Sequence, residues 1–177
     1  MMLCLAGAMG CREEGVVETM FPPTDDTSAI LINTSFELGG NHTLAGWTIS
    51  TPSVVSFSPD VPPDGGSWSV TIGVEWDPLP AISSNVPAPE GTHVYKLRVW
   101  AKRTGVGGSA AIMIRRPDTL LTSRFVAIPD TGWTTYTIID TISAERGDSV
   151  GVRLAGAISQ LVPGTTFFDL CVLEKLD

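Results

Sequence analysis

Few residues of this 177-residue chain stand in patterns that could do covalent chemistry. Gly147-Asp148-Ser149-Val150-Gly151 fits the spacing of a nucleophile elbow, in which a serine sits on a tight strand-to-helix turn near a histidine. Here the run leads into SVGVRLAG, a strand pattern, and the chain has only His42 and His93 to offer as a base. A hydrolase triad is not expected. Two carboxylates suited to glycoside hydrolysis could come from any part of a chain, but the long loops that usually build such a cleft are missing. Arg146-Gly147-Asp148-Ser149 spells an adhesion tetrapeptide and reads better as a turn before a strand. Asn33 and Asn41 lie in N-x-S/T sequons, which matter only if a eukaryote made the protein.

Non-covalent chemistry is better supplied. THVYKLRVWAKR alternates strictly, with Tyr95, Leu97, Val99 and Ala101 on one face and Lys96, Arg98, Trp100 and Lys102 on the other. Trp100 is the only large apolar residue on that polar face, so its flat ring and the Arg98 guanidinium are candidates for holding a ligand. Trp76, just before a proline-rich segment, is a second candidate because a loop-edge tryptophan is easily exposed. Trp47 and Trp133 read as packing.

The elements that must position these residues are short strands. Hydrophobic residues make up 43% and charged residues 17%, enough apolar material for a real core. The 13 prolines and 18 glycines are spread along the chain, as in many strands separated by turns. AILINTSFEL, GWTIS, SVVSF, SWSVTIGVEW, THVYKLRVWAKR, SAAIMIRR, SRFVAIP, TTYTIID, SVGVRLAG and TFFDLCVLEKL are ten short strand-like runs, from which a series of eight or nine strands is expected. DPLPAISSNVPAPEG, with its four prolines, reads as a broken strand or long loop. No segment keeps a helical apolar period. The expectation is an all-β antiparallel sandwich or jelly roll. A net charge of -8 argues against nucleic acid, which is bound by clustered Lys and Arg. The three cysteines make neither a disulfide framework nor a zinc spacing, and Cys171 reads as a buried, inert thiol.

From about residue 30 to the C-terminus, an ordered set of motifs carries a likeness. LINTSFELGG…LAGW, GGSWSVTI, PEGTHVYKLRVWAKR, TGWTTYTI and TFFDLCVLEKL resemble successive segments of carbohydrate-binding modules of the family 4/9/22 type, which are galactose-binding-like jelly rolls. The resemblance implies a calcium ion tying the first strand to the last. Glu37 matches one family carboxylate and Asp169 another, while a second family aspartate is Leu170 here. Ca2+ takes six to eight oxygens in tolerant geometry, and the site that the resemblance implies is structural, not catalytic. It also implies that the Trp100 face lines the concave, glycan-holding side, that Asn85 stands where the family often has a glutamine, and that Trp68 replaces a core tyrosine.

At the other end, MMLCLAGAMGC is apolar, ends in small residues and gives way to Arg12, Glu13 and Glu14. It resembles a bacterial lipobox with Cys11 as the lipidated residue, though it is short and lacks a preceding Lys or Arg. Residues 1–11 are read as this signal, 12–28 as a tether of low structure and 29–177 as the sandwich. The function expected is a non-catalytic, secreted or cell-surface module that binds a poly- or oligosaccharide and touches a membrane only through a lipid. The alternative is a structural or adhesion sandwich that contacts a protein partner and has no sugar site.

Overall fold

The computed structural model describes residues 30–76, 78–116, 119–159 and 161–177. Expectations for the lipobox-like segment with Cys11 and for the tether concern residues outside these. Among the described residues, ten strands form two antiparallel five-stranded sheets. The first sheet runs β1 (Thr48–Ile49), β4 (Ala81–Pro87), β9 (Ser149–Ala155), β6 (Ser109–Arg116), β7 (Thr119–Ala127). The second runs β2 (Val55–Ser58), β3 (Ser69–Gly73), β10 (Gly164–Lys175), β5 (Gly91–Gly105), β8 (Thr134–Ala144). No helix among the described residues is long and apolar enough to cross a membrane.

The alternation of β5 fixes how the sheets face. Tyr95, Leu97, Val99 and Ala101 are each at most 1% exposed, and they share one core with Ile82, Ile112, Val150, Val152 and Leu154 of the first sheet. Fully burying a side chain of this size is worth about 1.5–3 kcal/mol, so the sandwich rests on these inward positions. Trp47 is buried against Phe36, with ring centroids 5.2 Å apart, and its indole N–H donates to the Asn33 carbonyl at 3.2 Å. Cys171 is a fully buried free thiol whose acidity burial suppresses.

Three segments depart from the sequence reading. From Ile30 on, the segment ILINTSFEL does not form a strand: Asn33 and Phe36 take positive φ angles of 58° and 60°, which interrupt extended backbone. The buried Asn33 amide donates to the carbonyls of Thr43 and Ala45, an arrangement that holds the left-handed turn and uses up the amide of that sequon. The segment still reaches β10, through Ile30 N–H to the Leu173 carbonyl and Cys171 N–H to the Thr34 carbonyl. The proline-rich segment, in contrast, does contain an interior strand. Pro78, Pro80 and Pro89 flank β4 and Pro87 ends it, so no ladder donor is lost from its middle. Finally, β10 carries a bulge between Asp169 and Val172, with Leu170 at a φ of 46°. The extra residue shifts the alternation so that Phe168, Cys171 and Leu173 all enter the core.

The run Gly147 to Gly151 behaves as the sequence implies. Glu145 to Asp148 close a turn, Gly147 has a φ of 91°, and β9 follows without a helix. Asp148 is buried and accepts the Glu145 N–H at 2.9 Å, so the RGDS tetrapeptide serves the turn.

Candidate functional site

The outward positions of the first sheet build a shallow groove. Register places Thr48, Ser83, Arg153, Ala111 and Phe125 in one row across all five strands. On one side of it run Ala81, Ala155, Ser109 and Ala127, and on the other Asn85, Gly151, Met113 and Thr122. Apart from Met113 and Asn85 the floor is thus made of small side chains, with one guanidinium near its centre and one aromatic ring at its edge. Ser109, Ala111, Thr122, Phe125, Arg153 and Ala155, with Leu79 from the β3–β4 loop, line a cavity of about 300 Å³. Phe125 is 67% exposed on the edge strand. Gly151 is required in the floor: a Cβ there would stand 2.1 Å from the Ser84 carbonyl oxygen.

The β3–β4 loop at one end of this sheet carries Trp76, which is exposed, as well as Leu79. Backbone bonds from Glu75 N–H to the Ala157 carbonyl and from Ser159 N–H to the Glu75 carbonyl, both 3.3 Å, hold the loop to the β9–β10 connection. A flat apolar ring, a fork of guanidinium donors and several hydroxyls on a small-residue floor can stack on a ring-shaped ligand and hydrogen-bond its edges.

The sequence-predicted binding residues do not all meet here. Asn85 lies exposed on the outer face of the first sheet. Trp100 and Arg98 belong to β5 and point from the outer face of the second sheet, on the far side of the sandwich. Trp100, half-buried, stands in a row with Asp169 and Thr135, and exposed Arg98 in a row with Val172 and Thr137. Their basic neighbours are engaged: Lys96 pairs with Glu174 at 3.3 Å, and Lys102 pairs with Asp60 while lying over the Trp133 and Phe167 rings. The Lys102 hydrogen bond, followed by that from the Trp133 indole, holds the Asp60 carboxyl below its ordinary range.

The sequence reading does not single out Arg153 or Phe125. A signal exists for each: SVGVRLA alternates with Arg153 as its one charged outward residue, and Phe125 falls out of phase with the core position Val126.

Glu37 and Asp169 do come together. Glu37 Oε1 accepts the Ser67 N–H at 2.5 Å, and Asp169 Oδ1 accepts the Leu170 N–H at 2.7 Å. Asp169 is fully buried, and its Oδ2 has no hydrogen-bond partner among the described residues. Burial, helped by the Glu37 charge and opposed by the Leu170 N–H, pushes the Asp169 carboxyl up to about 7. A buried, orphaned carboxylate oxygen beside a second carboxylate is a donor set that fits a hard, oxygen-seeking cation. No cluster of three or more Asp, Glu, His or Cys suited to a metal occurs among the described residues, so further donors would be backbone oxygens or water.

No protein-family model and no curated protein matches the sequence. Solved structures do match the fold. The enzymatically active domain of tailspike protein 4 from bacteriophage CBA120 aligns over 84% of this chain with a TM-score of 0.63 and 16% identity. This chain spans only 22% of that one. TmCBM61, solved with β-1,4-galactotriose, aligns over 83% of this chain and 98% of its own, with a TM-score of 0.54 and 22% identity. The CBM22-1 xylan-binding domain of Paenibacillus barcinonensis Xyn10C aligns over 81% and 92%, with a TM-score of 0.57 and 15% identity. The chain therefore has the jelly-roll fold of carbohydrate-binding modules, shared with members of families 4, 16, 22 and 61.

Proposed function

We propose that the protein is a non-catalytic carbohydrate-binding module whose glycan lies along the outer face of the β1-β4-β9-β6-β7 sheet. The observation that carries this reading is the groove itself, with exposed Phe125 at its edge and Arg153 on its small-residue floor. Phe125 stacks on the CH face of a sugar ring, and Arg153, Asn85, Ser83 and Thr122 bond to hydroxyls, with Trp76 adding apolar area from the loop. The fold likeness supports the class, since similar jelly rolls include one solved with galactotriose and one described as xylan-binding. The proposal moves the site from the Trp100–Arg98 face, where the flanking lysines are already paired, to the opposite sheet.

In the same reading Glu37 and Asp169 hold a structural calcium. When bound, the ion would supply the positive charge that keeps Asp169 ionised in its buried position. Cys11 is read as the lipid attachment that places the module at a cell surface, a reading supported only by the lipobox-like sequence before it.

Affinity electrophoresis of the full chain through gels containing single soluble polysaccharides tests the function. Retardation by at least one polysaccharide, lost in Phe125→Ala without a change in melting temperature, is the expected result. Unretarded migration in every gel would overturn it in favour of a structural or adhesion sandwich.

A further inference from the structure

The chain carries 19 acidic residues against 11 Lys and Arg, a net charge of -8. The outer face of the first sheet does not follow that balance. Every outward strand position of β1, β4, β9, β6 and β7 among the described residues is apolar, hydroxyl, amide or arginine, and none is Asp or Glu. The two charges on it are Arg153 and Arg115, and neither forms an ion pair with a described residue. On the opposite sheet Lys96 and Lys102 are matched by Glu174 and Asp60, while Arg98 forms no ion pair with a described residue.

Resting on the reading of this face as the glycan site, we infer that its ligand is an acidic polysaccharide carrying uronic-acid carboxylates. A planar guanidinium matches a carboxylate with two parallel hydrogen bonds, and such charge-assisted bonds are roughly twice as strong as neutral ones. A neutral glycan would leave Arg153 in the groove and Arg115 further along the same face without a counter-charge. Screening makes the choice local: beyond about 8 Å at physiological salt the acidic remainder of the protein is largely hidden from a bound carboxylate.

The spacing favours a polymer over a single acidic sugar. Arg153 is registered with Ala111, and Arg115 stands four positions further along β6 on the same face. At roughly 3.3 Å per residue this is about 13 Å along the strands. The two guanidiniums thus reach different sugar residues of one chain, with the Gly151–Met113 row between them.

The test is calorimetric titration of the full chain with polygalacturonate and with alginate, each beside its carboxyl-reduced, neutral form, and with dextran sulfate. At least one uronate polymer is expected to bind, with its reduced form about tenfold or more weaker. Arg153→Gln should remove most of that difference, Arg153→Lys should keep part of it, and added NaCl should weaken the uronate alone. A reduced polymer that binds as tightly as its uronate parent overturns the acidic ligand and leaves the glycan reading standing. So does binding to dextran sulfate without binding to either uronate. Silence toward every polymer, acidic and neutral, overturns both.

Discussion

Glu37 and Asp169, from opposite ends of the domain, press on adjacent glycines of one turn. A Cβ at Gly66 would stand 1.5 Å from Glu37 Oε2, and a Cβ at Gly65 2.6 Å from Asp169 Oδ2. The turn can lie over both carboxylates only because neither glycine has a side chain. Two carboxylates gathered under bare backbone, one of them fully buried, repel each other unless a proton or a cation intervenes.

Calcium is therefore expected to stabilise the fold. At a hundredfold excess over its dissociation constant an ion that binds only the native state contributes about 2.7 kcal/mol. For a domain of this size that corresponds to a rise in melting temperature of about 5–10 °C. Differential scanning calorimetry with calcium and with chelator should show the difference, and Asp169→Asn or Glu37→Gln should erase it. Equal melting in both buffers would remove calcium from the structure.

Protons should substitute for the ion. The Asp169 carboxyl is raised from its ordinary 3.8 to about 7, so between these values the native state holds a proton that the unfolded chain has released. Its contribution is fully present below pH 4 and is lost as pH rises through 7. In chelator, the melting temperature should accordingly fall from pH 5.5 to pH 8, and the fall should shrink in Asp169→Asn. Asp60 shifts the other way, held low by Lys102, and loses its contribution only in more acid solution.

How far the sequence reveals this molecule depends on where backbone alternation holds. In β5, four consecutive inward positions are apolar and four outward ones are not apart from Trp100, so both the strand and its buried face are legible. The β10 bulge breaks that logic, because one extra residue puts both Phe168 and Cys171 inside, and no local pattern announces it. AILINTSFEL has strand composition, yet the Asn33 turn is closed by carbonyls of residues 43 and 45, which a local reading does not see. The groove was hidden for a related reason. Its floor is mostly Ala, Ser and Gly drawn from β4, β6 and β9, and only register puts Arg153 in one row with Ala111 and Phe125. Trp100 is the conspicuous outward aromatic of its strand, but nothing in β5 alone tells which sheet it joins.

The hydroxyl of Tyr95 gives a separate check on packing. It is buried without a hydrogen-bond partner among the described residues, at the end of the sandwich where Ile30, Val86, Val150 and Lys175 line a cavity of about 260 Å³. An unmet buried polar group costs about 1–3 kcal/mol. Tyr95→Phe is thus expected to leave stability unchanged or raise it by about 1 kcal/mol in urea unfolding. A loss of more than about 1 kcal/mol would mean that the hydroxyl is bonded in solution.

Gly151 should tolerate no side chain. A Cβ would meet the Ser84 carbonyl oxygen at 2.1 Å, and both strands lie in the sheet interior, so neither can withdraw cheaply. Gly151→Ala is expected to cost about 1–3 kcal/mol, the range for overpacking a close-packed interior. Unfolding midpoints of the variant and the parent would measure it, and an unchanged midpoint would place the two strands further apart than described.

The most direct test compares Phe125→Ala with Trp100→Ala, each titrated with a polysaccharide that retards the parent protein. If the glycan lies on the β1-β4-β9-β6-β7 face, Phe125→Ala loses about 1–3 kcal/mol of binding, roughly fivefold or more in affinity, while Trp100→Ala binds like the parent. Loss in Trp100→Ala with binding intact in Phe125→Ala would contradict this assignment and put the glycan on the opposite sheet.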